Sequence, residues 1–122
     1  MMKIQDLPVY QSAFNLSMSI FEVSKNFPPE ELDAMTIPMK RSSRNVCIHL
    51  SEAMRRRKYV KYFLSTLVDA DAANAETQTW LELATACQYI DEEALVPLYD
   101  RCVEIGKKIK LMIDHPEKFK SL

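Results

Sequence analysis

Half of the positive charge in this sequence lies in one stretch, residues 39–64, reading MKRSSRNVCIHLSEAMRRRKYVKYFL. Lys40, Arg41, Arg44, Arg55, Arg56, Arg57, Lys58 and Lys61 are eight of the chain's sixteen basic residues, and Glu52 is the one acid among them. Such a cluster can neutralise the phosphates of a nucleic acid, and Tyr59 and Tyr62 could stack on unpaired bases. The residues singled out for that contact are Arg44, Arg55, Arg56, Arg57, Lys58 and Lys61. Consecutive residues splay around a helix, so residues 55–58 cannot all follow one backbone. A plainer reading stands beside it: a solvated helix end whose cations offset its carbonyls and meet the acids of residues 69–104, where nine acids face a single base, Arg101.

Other chemistries find less support. A di-iron bundle needs two Glu-x-x-His steps and two further inward carboxylates, and none of these steps occurs. His49 and Glu52 make one reversed step, better suited to a surface ion pair in which Glu52 also reaches Arg55 or Arg56. Cys47 and His49 are two apart on a helix and point to different faces. With Gly106 as the only glycine, no phosphate-cradling loop, dinucleotide fingerprint or nucleophile elbow can form. No metal, cofactor or enzymatic activity is expected. Asp71, Asn74 and Gln78 form a polar stretch which, if turned inward, needs partners such as Arg41, Arg44, Asn45 and His49; if turned outward, it is rim.

The elements that must carry these residues are helices. With 122 residues, 48% of them hydrophobic and seven of them Met, the chain suits one all-α domain. A first helix, about residues 6–27, has Asp6 as N-cap and Pro8 in its first turn. Its apolar seam is Val9, Ala13, Leu16, Ile20, Val23 and Phe27. Tyr10, Phe14 and Phe21 form a second line beside it, marking either a deeply buried helix or one that also faces another subunit.

The second helix, about residues 30–57, breaks near Pro38, which should kink it or split off a short first segment. The third spans about residues 58–88 after an Arg-Arg-Arg-Lys corner, with two seams open to it. One runs Phe63, Leu67, Ala70, Asn74, Thr77, Leu81 and Ala84; the other passes through Leu64, Asp71 and Gln78. The fourth, about residues 91–114, starts at Asp91-Glu92-Glu93, follows a heptad through Leu95, Leu98, Cys102, Ile105, Ile109 and Met112, and stops at His115-Pro116, leaving a frayed tail. The simplest arrangement is an antiparallel up-down-up-down four-helix bundle.

A formal net charge of −1 gives no overall pull toward nucleic acid or a membrane surface, and no apolar run approaches membrane-spanning length. Cys47, Cys87 and Cys102 lack metal or redox spacing and read as reduced, core-packed thiols of a cytoplasmic protein.

RSSRNVCIHLSEAMRRRKYVKYFL followed by AETQTWLELATACQYID resembles the four-helix bundle proteins of the ribosomal-RNA intervening-sequence type, also called S23-like. LPVYQSAFNLSMSIFEVSKNFPPEE looks like the first helix of the same family. Arg41, Glu52, Phe63 and Leu64 match its pattern, as do Glu76, Thr77, Trp80, Leu81 and Ala84. His49 stands in place of an Asn, Leu50 of an Ile, Asn45 of a Ser and Ala53 of a Gly. The resemblance implies a helical bundle, commonly a ring-like homopentamer, with no established catalysis. It extends to accessory proteins of diversity-generating retroelements, which bind nucleic acid and a reverse transcriptase. The expected molecule is a self-associating bundle with Tyr10, Phe14 and Phe21 at the subunit interface. It takes RNA or another nucleic acid, or alternatively a partner protein, on its basic surface.

Overall fold

The structure, a computed structural model, describes residues 2–122. Four α-helices make up most of it: α1 (Pro8–Ser24), α2 (Ile37–Arg55), α3 (Val60–Ala86) and α4 (Glu92–Asp114). Each packs on its neighbours in sequence, and α1 closes against α4, giving an antiparallel up-down-up-down bundle. Its interior is one apolar stripe per helix. Val9, Ala13, Leu16 and Ile20 come from α1 and meet Met39, Val46, Leu50 and Ala53 of α2, with Cys102, Ile105, Ile109 and Met112 from α4. On α3 the seam from Phe63 to Ala84 is the buried one, so Asn74 and Thr77 enter the core while Asp71 is exposed and Gln78 half-buried.

The helix ends depart from expectation for local reasons. Asp6 does not cap α1. Its carboxylate accepts the Lys3 N–H at 3.2 Å and closes a separate 3-10 turn, Ile4–Asp6, leaving Leu7 as the N-cap and Pro8 as the first helical residue. At its other end α1 stops at Ser24, because Pro28 disfavours helical geometry at Phe27. Pro38 does not kink α2 from within. It is the second residue of the helix, preceded by a π-helical turn, Leu32–Thr36, in which the Ile37 N–H reaches back five residues to Leu32 O. A wider turn there accommodates a ring that would otherwise press on the carbonyl four residues earlier.

The α2–α3 corner covers residues 56–59, with Arg57 Nη1 donating to Met54 O at 2.8 Å and the Tyr59 N–H to Arg56 O at 2.8 Å. Helix α3 ends in a Schellman motif: the Tyr89 N–H bonds Ala84 O and the Gln88 N–H bonds Thr85 O, both at 2.9 Å. Gln88 takes a φ of 65° there, the left-handed conformation usually given to glycine. Asp91 caps α4 through the Ala94 N–H at 2.8 Å. The tail is not frayed. Beyond a 3-10 turn, Pro116–Lys118, Phe119 stacks on buried Phe63 with ring centres 6.2 Å apart, and Arg57 donates to Leu122 O.

Candidate nucleic-acid interface

While Met39, Val46, Leu50 and Ala53 turn α2 inward, Arg41, Arg44, Ile48 and Arg55 are exposed on its opposite side. Their spacing of three, four and seven keeps them on one stripe, about 21 Å from Arg41 to Arg55 at 1.5 Å per residue. Lys58, Tyr59, Lys61 and Tyr62, all exposed, continue it around the corner. Among the described residues, none of Arg41, Arg44, Arg55, Arg56, Arg57, Lys58 and Lys61 pairs with an Asp or Glu side chain; the lysine ion pairs are Lys25–Glu22, Lys108–Glu104 and Lys110–Asp114. Glu52 reaches His49 at 3.0 Å rather than Arg55 or Arg56.

Two of the six cations expected to take phosphate also serve the corner itself. Arg56 Nη1 donates to Thr66 Oγ1 at 3.0 Å. Arg57 is committed further, to Met54 O on one side and Leu122 O on the other, and is half-buried. Arg44, Arg55, Lys58 and Lys61 carry the open charge. The first turn of α3 holds no acid, and no side chain caps it.

Topology gives each end of the bundle an excess of one sign, although Asp6, Glu52, Asp114 and Glu117 lie at the basic end. The start of α1, the end of α2, the start of α3 and the end of α4 share one end of the bundle, bringing Lys118 and Lys120 to the same end as residues 55–61. At the opposite end lie Glu30, Glu31, Asp33, Asp91, Glu92 and Glu93, and there Tyr89 Oη donates to Glu31 Oε2 at 2.9 Å. That bond, with Tyr89 stacked 5.6 Å from Phe27, ties the α3–α4 turn to the α1–α2 linker. The Tyr89 hydroxyl is pushed up to about 12, chiefly because ionisation would break its bond to the Glu31 carboxylate.

Of the interface residues expected on α1, Phe14 is 49% exposed and stacks on half-buried Tyr10 at 6.1 Å. Phe21 is half-buried beneath two ammonium groups, Lys25 at 4.6 Å and Lys40 at 6.0 Å from the ring centre. Met18, 47% exposed, joins this face and was not marked by the heptad reading.

The polar residues matched to the family pattern do not form one site. Arg41 and Glu76 are exposed, and His49 and Glu52 bond only each other. The inward polar groups find partners other than those expected. Asn74 Nδ2 donates to Cys102 O at 2.8 Å on α4, not to α2, and Thr77 Oγ1 lies 2.9 Å from Ser42 Oγ. Ser42 is buried as well, and the small side chain at each position lets the two hydroxyls meet between α2 and α3. Asn74 Oδ1 is buried without a partner in the protein. Of the three cysteines expected in the core, Cys102 is buried, Cys47 is half-buried and Cys87, at the exposed end of α3, is open; burial pushes the Cys47 thiol to about 11 and that of Cys102 to about 12, far from nucleophilic thiolate. No group of three His, Cys, Asp or Glu among the described residues could hold a metal, and no helix is long and apolar enough to cross a membrane.

Comparison with known proteins adds family and fold. The model of the 23S rRNA-intervening sequence protein family matches residues 5–111. A solved structure from Bacteroides thetaiotaomicron VPI-5482, described as a protein with unknown function from the S23 ribosomal protein family, superposes with a TM-score of 0.77. It is 24% identical over 86% of this chain and 97% of that one, a likeness of fold. No curated protein matches the sequence.

Proposed function

Since the chain belongs to the 23S rRNA-intervening sequence protein family, we propose that it is a non-enzymatic, self-associating bundle of the cytoplasm that holds a nucleic acid on the basic face of α2 and the α2–α3 corner. One observation carries this reading: Arg41, Arg44, Arg55, Lys58 and Lys61 are exposed with no Asp or Glu partner, while Glu30, Glu31, Asp33, Asp91, Glu92 and Glu93 lie at the far end of the bundle. An exposed cation row with no internal counter-charge is open to an external polyanion, and phosphate is the anion that Arg and Lys neutralise along a line of about 20 Å. The family name points the same way, since it ties these proteins to 23S rRNA-intervening sequences. Self-association would repeat a modest patch several times, raising avidity without adding contacts.

The test is retention of a labelled RNA by the wild type and by an Arg44→Glu/Arg55→Glu variant across a salt series. Wild-type binding should fall steeply with salt, log K dropping with log salt by roughly 0.7 per phosphate contact on a single strand, and the charge-reversal variant should bind weakly. Binding indifferent to both salt and charge reversal would overturn the proposal. The alternative, a scaffold whose charged surface docks a partner protein, would prevail if nuclease-treated material still captured one protein through the same arginines and no nucleic acid bound.

A further inference from the structure

Tyr59 is 67% exposed and Tyr62 is 57% exposed, the most open aromatic rings of the chain. Neither ring stacks on another aromatic and neither hydroxyl is hydrogen-bonded among the described residues. Folding gives no reason for them. Tyr59 occupies the N-cap of α3 without capping it, a position that Ser, Thr, Asp or Asn would fill with a stabilising hydrogen bond. Tyr62, three residues on, lies in the first turn of α3. Arg55, Lys58 and Lys61 flank the two rings, all exposed and none paired with a carboxylate.

We infer that the basic end of the bundle is a platform for unpaired nucleotides, with Tyr59 and Tyr62 as stacking faces and Arg55, Lys58 and Lys61 as phosphate contacts. The inference rests on the nucleic-acid reading above and narrows it in two ways: it selects single strands over duplexes, and it places the base contacts at the α2–α3 corner rather than along α2. A duplex keeps its base faces stacked inside and shows mainly phosphates, sugars and groove edges. Two open tyrosines therefore gain little from it. A single strand offers a π-face at every nucleotide together with a flexible backbone that can turn from ring to cation within one corner. A bare row of arginines would favour the more densely charged duplex, so the aromatic pair is what carries the distinction.

The measurement is fluorescence anisotropy on the full-length protein with a labelled, non-self-complementary 12-mer RNA and with the same strand annealed to its complement. The wild type should bind the single strand more tightly than the duplex. Tyr59→Ala/Tyr62→Ala should weaken single-strand binding by roughly 30-fold or more, given about 1–3 kcal/mol for each of two stacked bases, and leave duplex binding unchanged. Tyr59→Phe/Tyr62→Phe keeps the ring faces and should retain most of the affinity. Circular dichroism checks that the alanine variant is folded. If duplex and single strand bind alike, or the alanine pair changes nothing while Arg44→Glu/Arg55→Glu still abolishes binding, this inference fails and the broader reading stands. If the wild type binds neither form, both fail.

Discussion

Tyr89, Cys47 and Cys102 keep their protons for different reasons and shift stability in the same direction. Tyr89 donates to a carboxylate, whereas the thiols sit where a thiolate would lose its water. Each folded pKa lies above the ordinary value, about 12 against 10 for Tyr89, about 11 against 9 for Cys47 and about 12 against 9 for Cys102. The unfolded chain therefore releases these protons first, so their contribution is complete below about pH 9 and drains away as pH rises through about 9 to 12. Urea midpoints measured from about pH 7 to 11 should stay level with respect to these groups up to about pH 9 and then fall, and Cys102→Ala or Tyr89→Phe should flatten the fall. Midpoints that hold steady to about pH 11 would contradict it. Asn74 marks the limit of residue-level reading. Its polarity within an apolar seam is plain from spacing, but its partner on α4 depends on how closely two helices cross. That approach is close at Gly106, where an added Cβ would sit 3.4 Å from Asn74 Nδ2.

Helix ends show how far an element can be read from its own residues. Asp91 before two glutamates is a local cap signal, and the Ala94 bond follows from it. The end of α3 carries no such signal, because a Schellman turn normally advertises itself by glycine and here Gln88 takes the left-handed position. That conformation costs a side-chain-bearing residue about 1–2 kcal/mol, more than the extra backbone entropy glycine loses on folding, so Gln88→Gly should stabilise the protein by about 0.5–1 kcal/mol. Thermal unfolding would register this as a rise of a few degrees; a lower midpoint would mean that Gln88 makes a contact worth more than its strain. Pro97 escaped the heptad reading of α4. It lies in the second turn, where the bond it removes is the one to Glu93 near the open start of the helix, so the pattern runs through it. The π turn before Pro38 belongs with these: the proline announces a break, but only packing decides whether it becomes a kink or a widened entry.

At the scale of the molecule, the fold class follows from one glycine, four amphipathic stretches and short connections, because few other architectures bury four apolar stripes at once. Assembly is harder to read, since a stripe that is wide in sequence can be filled from within. Here the bundle fills most of the α1 stripe and leaves Phe14 and Met18 about half exposed, a surplus beyond what its neighbours α2 and α4 cover. Light scattering on wild type and on Phe14→Glu/Met18→Glu should show an oligomer dissociating to single bundles with unchanged helicity, both residues being too exposed to govern folding. A wild type that is already monomeric, or a variant of unchanged mass, would remove this face from the interface.

The separation of charge along the bundle has its own consequence. A nearly neutral rod with an excess of cations at one tip and of carboxylates at the other carries an electric dipole moment along its axis. A polyanion drawing near exerts a torque before it makes any contact, swinging the lysine-bearing tip forward and the acidic tip away. Each molecule then arrives with the same polarity, and copies gathered on one strand would present identical acidic caps outward.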